Sequence, residues 1–303
     1  MLSFAVMATL SIVFETAQAA DPGRLNGFDL EGALVPREEV MRGGPARDGI
    51  PALTDPRFVS AAQAPLAPED RVVGVRLGNA AKAYPIRILN WHEVVNDAVA
   101  GRRIVVSYCP LCGTAMVFDA VAGGRRREFG VSGLLYNSDV LLYDRESESL
   151  WSQVMRKAVS GPAKGAPLVQ LAARHTTWRE WRREFPDTVV QSFETGHERD
   201  YSRDPYAGYD AWEGTYFPVR RRDPRLGPKE WVLGLELGGE AKAYPLKDCP
   251  AGGWRDEVGG VPVHVRCDRA SRTGAVVAAT GAEIPSTLAY WFAWAAFHPG
   301  TAL

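Results

Sequence analysis

The sequence predicts a mostly antiparallel β protein of the α+β class, built from two fused, unequal pseudo-repeats that each close with a short aromatic helix. Three observations lead there. Short runs of β-branched and aromatic residues alternate in polarity and are separated by turn signals such as Gly78-Asn79 and Gly238-Gly239. The stretch from Arg71 to Pro85 recurs from Trp231 to Pro245 at a constant offset of 160, with Gly74, Leu77, Gly78 and Ala81 through Pro85 identical to their counterparts. Farther on, Trp178, Trp181, Pro186 and Thr188 meet Trp291, Trp294, Pro299 and Thr301 at an offset of 113, so each copy ends in a Trp-bearing helix stopped by proline.

With 303 residues, 46% of them hydrophobic and 23% charged, the chain is long enough for one large or two modest cores. A net charge of -1 with no long charge run excludes a general nucleic-acid or anionic-membrane surface. Residues 1–20 read as a signal peptide: Leu2 to Phe14 is apolar, and Ala17-Gln18-Ala19-Ala20 offers an A-x-A cleavage pattern near Ala19. The apolar core is too short for a comfortable membrane span. The expectation is a periplasmic or secreted protein with no membrane span in the mature chain.

Residues 21–70, rich in Pro, Gly and charge, read as an irregular arm laid over the domain. The first repeat, residues 71–194, opens with a strand from Arg71 to Leu77 and a return through Ala81–Pro85. A helical turn follows over Ile86–Trp91, then His92-Glu93, a turn at Ala100-Gly101, and a strand from Arg103 to Tyr108. At an offset of 159, Asp97, Val99, Gly101, Val106 and Thr114 match Asp256, Val258, Gly260, Val265 and Thr273. The fall from 159 to 113 puts a net 46-residue insert in the first copy, between about Asp119 and Trp178. Within it, Phe129–Asp139 and Val140–Arg145 read as two strands and a turn. Residues 195–230 form a linker whose Tyr and Asp density suits either a loop over a cleft or a solvated connector. Residues 231–303 are the shorter second repeat, and its apolar run Leu288–Phe297 suits a buried helix.

The chemistry concentrates in Tyr108-Cys109-Pro110-Leu111-Cys112-Gly113-Thr114, between a β-branched run and another apolar run. Strand, tight turn, strand is the context of a metal knuckle: Pro fixes φ on entry and Gly permits a positive φ on exit. A redox CxxC opens a helix instead. Opposite His92, Cys109 and Cys112 the second copy has Ala251, Asp268 and Ser271, while Gly, Tyr-Pro and Trp positions persist; shared positions read as fold and unshared ones as chemistry. A hairpin brings His92 back to Cys109, making Cys109, Cys112 and His92 the candidate ligands. Two thiolates and an imidazole suit copper first and zinc second. Met116 is a further candidate ligand axial to copper, against the ordinary reading of a core Met. Asp144 and Glu93 are the candidate acid-base groups, Asp144 against the plainer reading of an ion pair. Ser132, flanked by Gly130 and Gly133, lacks the spacing of a nucleophile turn. Four cysteines pair most simply as Cys109 with Cys112 and Cys249 with Cys267.

Over residues 70 to 303 the chain resembles the bacterial family known as domain of unknown function 3179. Ala83-Tyr84-Pro85, His92-Glu93 with Asn96-Asp97, Tyr108-Cys109-Pro110-Leu111-Cys112, Phe129-Gly130-x-Ser132-Gly133, Tyr143-Asp144-Arg145 and Trp151-Ser152-Gln153 carry the resemblance. It implies an exported bacterial protein and assigns no activity. Arg156 departs from the pattern, standing where a glycine is expected. Three functions remain open at this level. The first is a metal-binding protein in metal handling or metal-dependent redox chemistry, an enzyme if the metal stays bound and a carrier to a periplasmic delivery or redox partner if it does not. The second is a periplasmic thiol-disulfide oxidoreductase using the CxxC. The third is a ligand-binding module stabilised by disulfides.

Overall fold

The structure is a computed structural model and describes residues 23–303. The signal-peptide reading of residues 1–20 lies outside it. No helix among the described residues is long and apolar enough to cross a membrane.

The architecture corrects the expected α+β fold of two pseudo-repeats. Strands make up 42% of the structure and helix 10%, too little for a helical layer, and the larger sheets are arranged as a five-bladed β-propeller. Among the described residues the three α-helices, α1 (Ile86–His92), α2 (Trp178–Glu184) and α3 (Trp291–Phe297), have seven residues each. The sheet, not the sequence copy, is the unit of this fold, because a copy's consecutive hairpins pair into separate sheets. In residues 71–194, Arg71–Leu77 and Ala80–Pro85 pair in one sheet, while Val94–Val99, Arg102–Cys109 and Thr114–Asp119 form another. In the second copy Trp231–Leu237 and Glu240–Pro245 belong to one sheet, and Trp254–Val258, Val261–Asp268 and Thr273–Ala278 to the next. The remaining sheet is the insert: Phe129–Tyr136, Asp139–Asp144 and Leu150–Ser152 pair antiparallel.

The described part of the N-terminal segment, residues 23–70, is more ordered than an irregular arm. Val40–Arg42, Leu53–Thr54 and Phe58–Ser60 each add an edge strand to a different sheet, covering backbone that an open edge leaves unpaired. Residues 195–230 contain no strand, yet Tyr201 and Tyr209 are buried there.

Two tryptophans fix where the short helices sit. The Trp181 indole of α2 lies on Gly74, where an added Cβ would stand 2.2 Å from the ring, and Trp294 of α3 lies on Gly234 in the same way. Their indole N–H groups donate to Thr188 and Thr301 at 2.9 and 3.0 Å. A buried indole thus gains a hydrogen-bond acceptor and a flat seat that only glycine offers. Elsewhere backbone strain marks the departure noted above: Arg156 takes φ 55° in the left-handed region where glycine is at ease, and its guanidinium is bound to Glu236 and Gln170. Gly74→Ala forces the Trp181 ring off its seat, and an overpacking loss of about 1–3 kcal/mol is expected, read as a lower urea midpoint at unchanged slope.

Candidate metal centre

The cysteine turn is the connection of a hairpin. Arg102–Cys109 pairs with Thr114–Asp119 through Cys109↔Thr114, and residues 110–113 turn the corner with Cys112 N–H donating to the Cys109 carbonyl at 3.2 Å. Gly113 has φ 62°, and a Cβ there would meet the Trp231 indole at 2.6 Å, so this glycine is required by both conformation and packing. The turn is also held from far along the chain: the Tyr290 amide donates to the Cys112 carbonyl at 2.9 Å.

A second hairpin tip meets it. Phe129–Tyr136 and Asp139–Asp144 are joined by the two-residue turn Asn137-Ser138, with φ 51° and 66°, the all-positive conformation that twisted two-residue hairpins prefer. Its tip is fastened by the Arg220 amide, which donates to Asn137 Oδ1 at 2.8 Å. The turn presents the Ser138 carbonyl to both sulfurs, Cys112 Sγ at 3.4 Å and Cys109 Sγ at 3.7 Å. The next side chain, Asp139, completes a group in which the ligand atoms of Cys109, Cys112 and Asp139 all lie within 4.8 Å of one another. All three residues are fully buried.

Burial sets the electrostatics of the group. It pushes both thiols up, Cys112 strongly so, with the neighbouring Cys109 adding to the effect. It pushes the Asp139 carboxyl up to about 7, opposed by the backbone amides of Val154 and Val140. Asp139 Oδ2 accepts from the Val154 amide at 3.3 Å, whereas Asp139 Oδ1 has no hydrogen-bond partner. Nearby, the Ser138 and Tyr209 hydroxyls and Gln153 Oε1 are also buried without partners. Glu93 is pushed up to about 8 by burial and then by the Asp139 charge, and it lines a largely apolar cavity of about 260 Å³ beside the cysteine turn. No protein cation pairs with Cys109, Cys112 or Asp139 among the described residues; the Lys229 ammonium sits 3.2 Å from the centre of the Tyr209 ring instead.

The sequence-predicted residues divide. Cys109 and Cys112 converge as free thiols rather than in the disulfide that the simplest cysteine pairing offers, whereas Cys249 and Cys267 are bonded. His92 does not join them. It ends α1, and its Nδ1 donates to the Pro51 carbonyl while its Nε2 accepts from the Tyr201 hydroxyl, each at 2.7 Å, which spends both nitrogens. The chain turns at Glu93, in the left-handed region with φ 56°, so the helix end sends His92 and Glu93 to different surroundings; Glu93 faces the cavity next to the thiols. Met116 packs in the core and lines a separate crevice with Gln170 and Trp294. Asp144 is an ion-pair residue, bound at 2.6 Å by Arg127 rather than by its neighbour Arg145, and it also accepts from the Trp151 indole at 2.8 Å. The Ser132 hydroxyl is hydrogen-bonded to the Leu141 carbonyl and the Leu134 amide at a bulge. The sequence pattern runs the first strand through Asp139, whereas the structure turns at Asn137-Ser138 and begins the next strand at Asp139, which is why it escapes a reading by alternation. Its signal was the Asn137-Ser138 pair before it, a turn that brings the next side chain to the hairpin tip.

Residues 47–284 match a family model described as "Protein of unknown function (DUF3179)". No curated protein and no solved structure matches.

Burial also holds the His92 imidazole down, to about 4, against the help of the Pro51 carbonyl. An unfolded imidazole titrates near 6.5, so between these values the unfolded chain binds more protons than the folded one. Stability from this group is therefore complete above about pH 6.5 and is lost as the pH falls toward about 4. Urea midpoints measured at about pH 7.5 and about pH 5 are expected to fall on acidification, and to fall less in His92→Gln.

Proposed function

The chain belongs to the DUF3179 family, whose description assigns no activity, and we propose from the site itself that this is an exported metal-binding protein. Cys109, Cys112 and Asp139 hold a single ion, with zinc preferred over copper. One observation carries the reading: two thiols and a carboxylate oxygen of Asp139 converge within 4.8 Å in a fully buried place, and among the described residues no protein cation pairs with them. Ionised, three such groups repel one another at an interior site where a carboxylate alone is costly to bury. A divalent cation removes that cost and supplies the partner that Asp139 Oδ1 lacks. The donor set fits: zinc accepts thiolate sulfur and carboxylate oxygen together. The earlier preference for copper rested on an imidazole, and His92 is committed elsewhere.

Three protein donors are one fewer than a closed structural zinc site takes, and matches the number in sites that keep a position for water or substrate. Glu93, on the wall of the adjoining cavity, is the residue placed to hold or pass a proton there. Export is supported by the Cys249–Cys267 disulfide, a bond that persists in oxidising compartments. Thiol-disulfide exchange fits less well, because an exchange thiol is exposed and acidified, and these two are buried and pushed the other way.

Protein purified without chelator is expected to carry about one equivalent of zinc by elemental analysis, lost in Cys112→Ser and reduced at least about tenfold in Asp139→Asn. His92→Ala and Cys267→Ser are expected to keep the metal. An unchanged ratio in Cys112→Ser would sink the assignment. In the native protein a thiol reagent is expected to find Cys109 and Cys112 unreactive until chelator or denaturant is added; immediate labelling of one thiol would favour exchange chemistry instead.

A further inference from the structure

On the other side of the cysteine turn from the Glu93 cavity lies a larger pocket of about 410 Å³, and its wall differs in kind. Tyr108, Tyr290, His175 and Trp231 make a continuous aromatic surface: Trp231 packs on Tyr290 at 4.4 Å between ring centres, and His175 stands edge-on to both Tyr108 and Trp231 at 6.0 and 5.9 Å. Tyr108 and Tyr290 are more than nine-tenths buried, yet neither hydroxyl has a hydrogen-bond partner among the described residues. His175 is equally buried, and its Nδ1 is unpartnered. The His175 nitrogen is buried away from water, whereas the two phenol oxygens stay open to the pocket, so the wall offers two hydroxyls to a bound group.

Two cations of this wall have no carboxylate partner among the described residues. Arg71 donates only to carbonyls, those of Ser271, Arg272 and His175, and has no carboxylate partner among the described residues. Burial pulls its guanidinium down to about 10, the mark of a cation lacking a counter-charge. Arg272, whose carbonyl accepts from Arg71, lines the same pocket and has no ion pair among the described residues either. Of the acids that reach the pocket, Glu69 pairs with Arg179, Asp204 accepts from Asn90 and the Tyr206 amide, and Asp210 acts on Lys229 and on Tyr290.

We propose that this pocket binds a small planar organic acid, its carboxylate between Arg71 and Arg272 and within reach of the Tyr108 and Tyr290 hydroxyls, its ring against Trp231. Guanidinium and phenol are both donors, so a carboxylate satisfies them together, and a flat unsaturated body matches the indole face. The volume suits a molecule of that size. The pocket shares Pro110 with the cavity beside the metal centre, so an acid bound here rests against the cysteine turn. The proposal stands apart from the metal assignment and is tested separately.

The test is calorimetric titration of the purified full chain, metal as isolated, with benzoate, 4-hydroxybenzoate and cinnamate and with their amides. At least one acid is expected to bind at millimolar Kd or tighter and its amide about tenfold or more weaker, the loss of a charged hydrogen-bonding group. Arg272→Gln, a surface change, and Tyr290→Phe are each expected to weaken the acid about fivefold or more without altering the amide. Acids that bind no better than amides, or acid binding unmoved by both variants, would overturn the proposal. Metal per chain, measured on the same samples, separates the two assignments: acid binding without metal removes the metal reading alone, and metal without acid preference removes this one alone.

Discussion

The contact between two hairpin tips, the cysteine turn and the Asn137-Ser138 turn, is the constraint on which the rest of the site depends. One backbone carbonyl, that of Ser138, accepts from both thiols, and the residue after it brings a carboxyl to the same place. Neither tip gathers three ligand atoms by itself. The two belong to different sheets, so the sheets must be rigidly packed for the sulfurs and the carboxyl to stay together. The second copy of the sequence shows how such a turn closes when it carries no thiols. There Asp268 accepts from the Ser271 amide and hydroxyl at 2.7 and 2.6 Å, and the turn satisfies itself. In the first copy cysteines replace that local closure, and the polar demand is passed to a neighbouring sheet.

Much of the local structure was legible in the residues. The strand runs, the helical turn over Ile86–Trp91, the Ala100-Gly101 reversal and the positive φ of Gly113 follow from alternation and from the conformations that Pro and Gly permit. The grouping of strands into sheets was not legible, and the α+β expectation failed for that reason. Strand periodicity says which face is buried but not which neighbour buries it, and three helices with large aromatic residues look weightier in sequence than their seven residues each allow. The short edge strands from the N-terminal segment carry two or three residues each, too few for a periodic signal.

The site divides along the same line. Cys109 and Cys112 announced themselves by spacing, whereas their third partner lies 27 positions beyond Cys112 and is joined to it only by sheet packing. His92 misled because chain distance was the guide: the hairpin that should return it does form, but the ring belongs to the last turn of a helix and is taken up by Pro51 and Tyr201. Asp144 and Arg127 show the reverse case, an adjacent arginine passed over for one 17 residues away across the sheet.

The Tyr290 amide that caps the Cys112 carbonyl belongs to one of the last strands of the chain. During synthesis the cysteine turn emerges long before the segment that closes it, and domains fold as their parts become available. A nascent or truncated chain therefore presents two accessible thiols that the finished chain buries. In an oxidising compartment such thiols would be open to mispairing with Cys249 or Cys267 until that strand arrives.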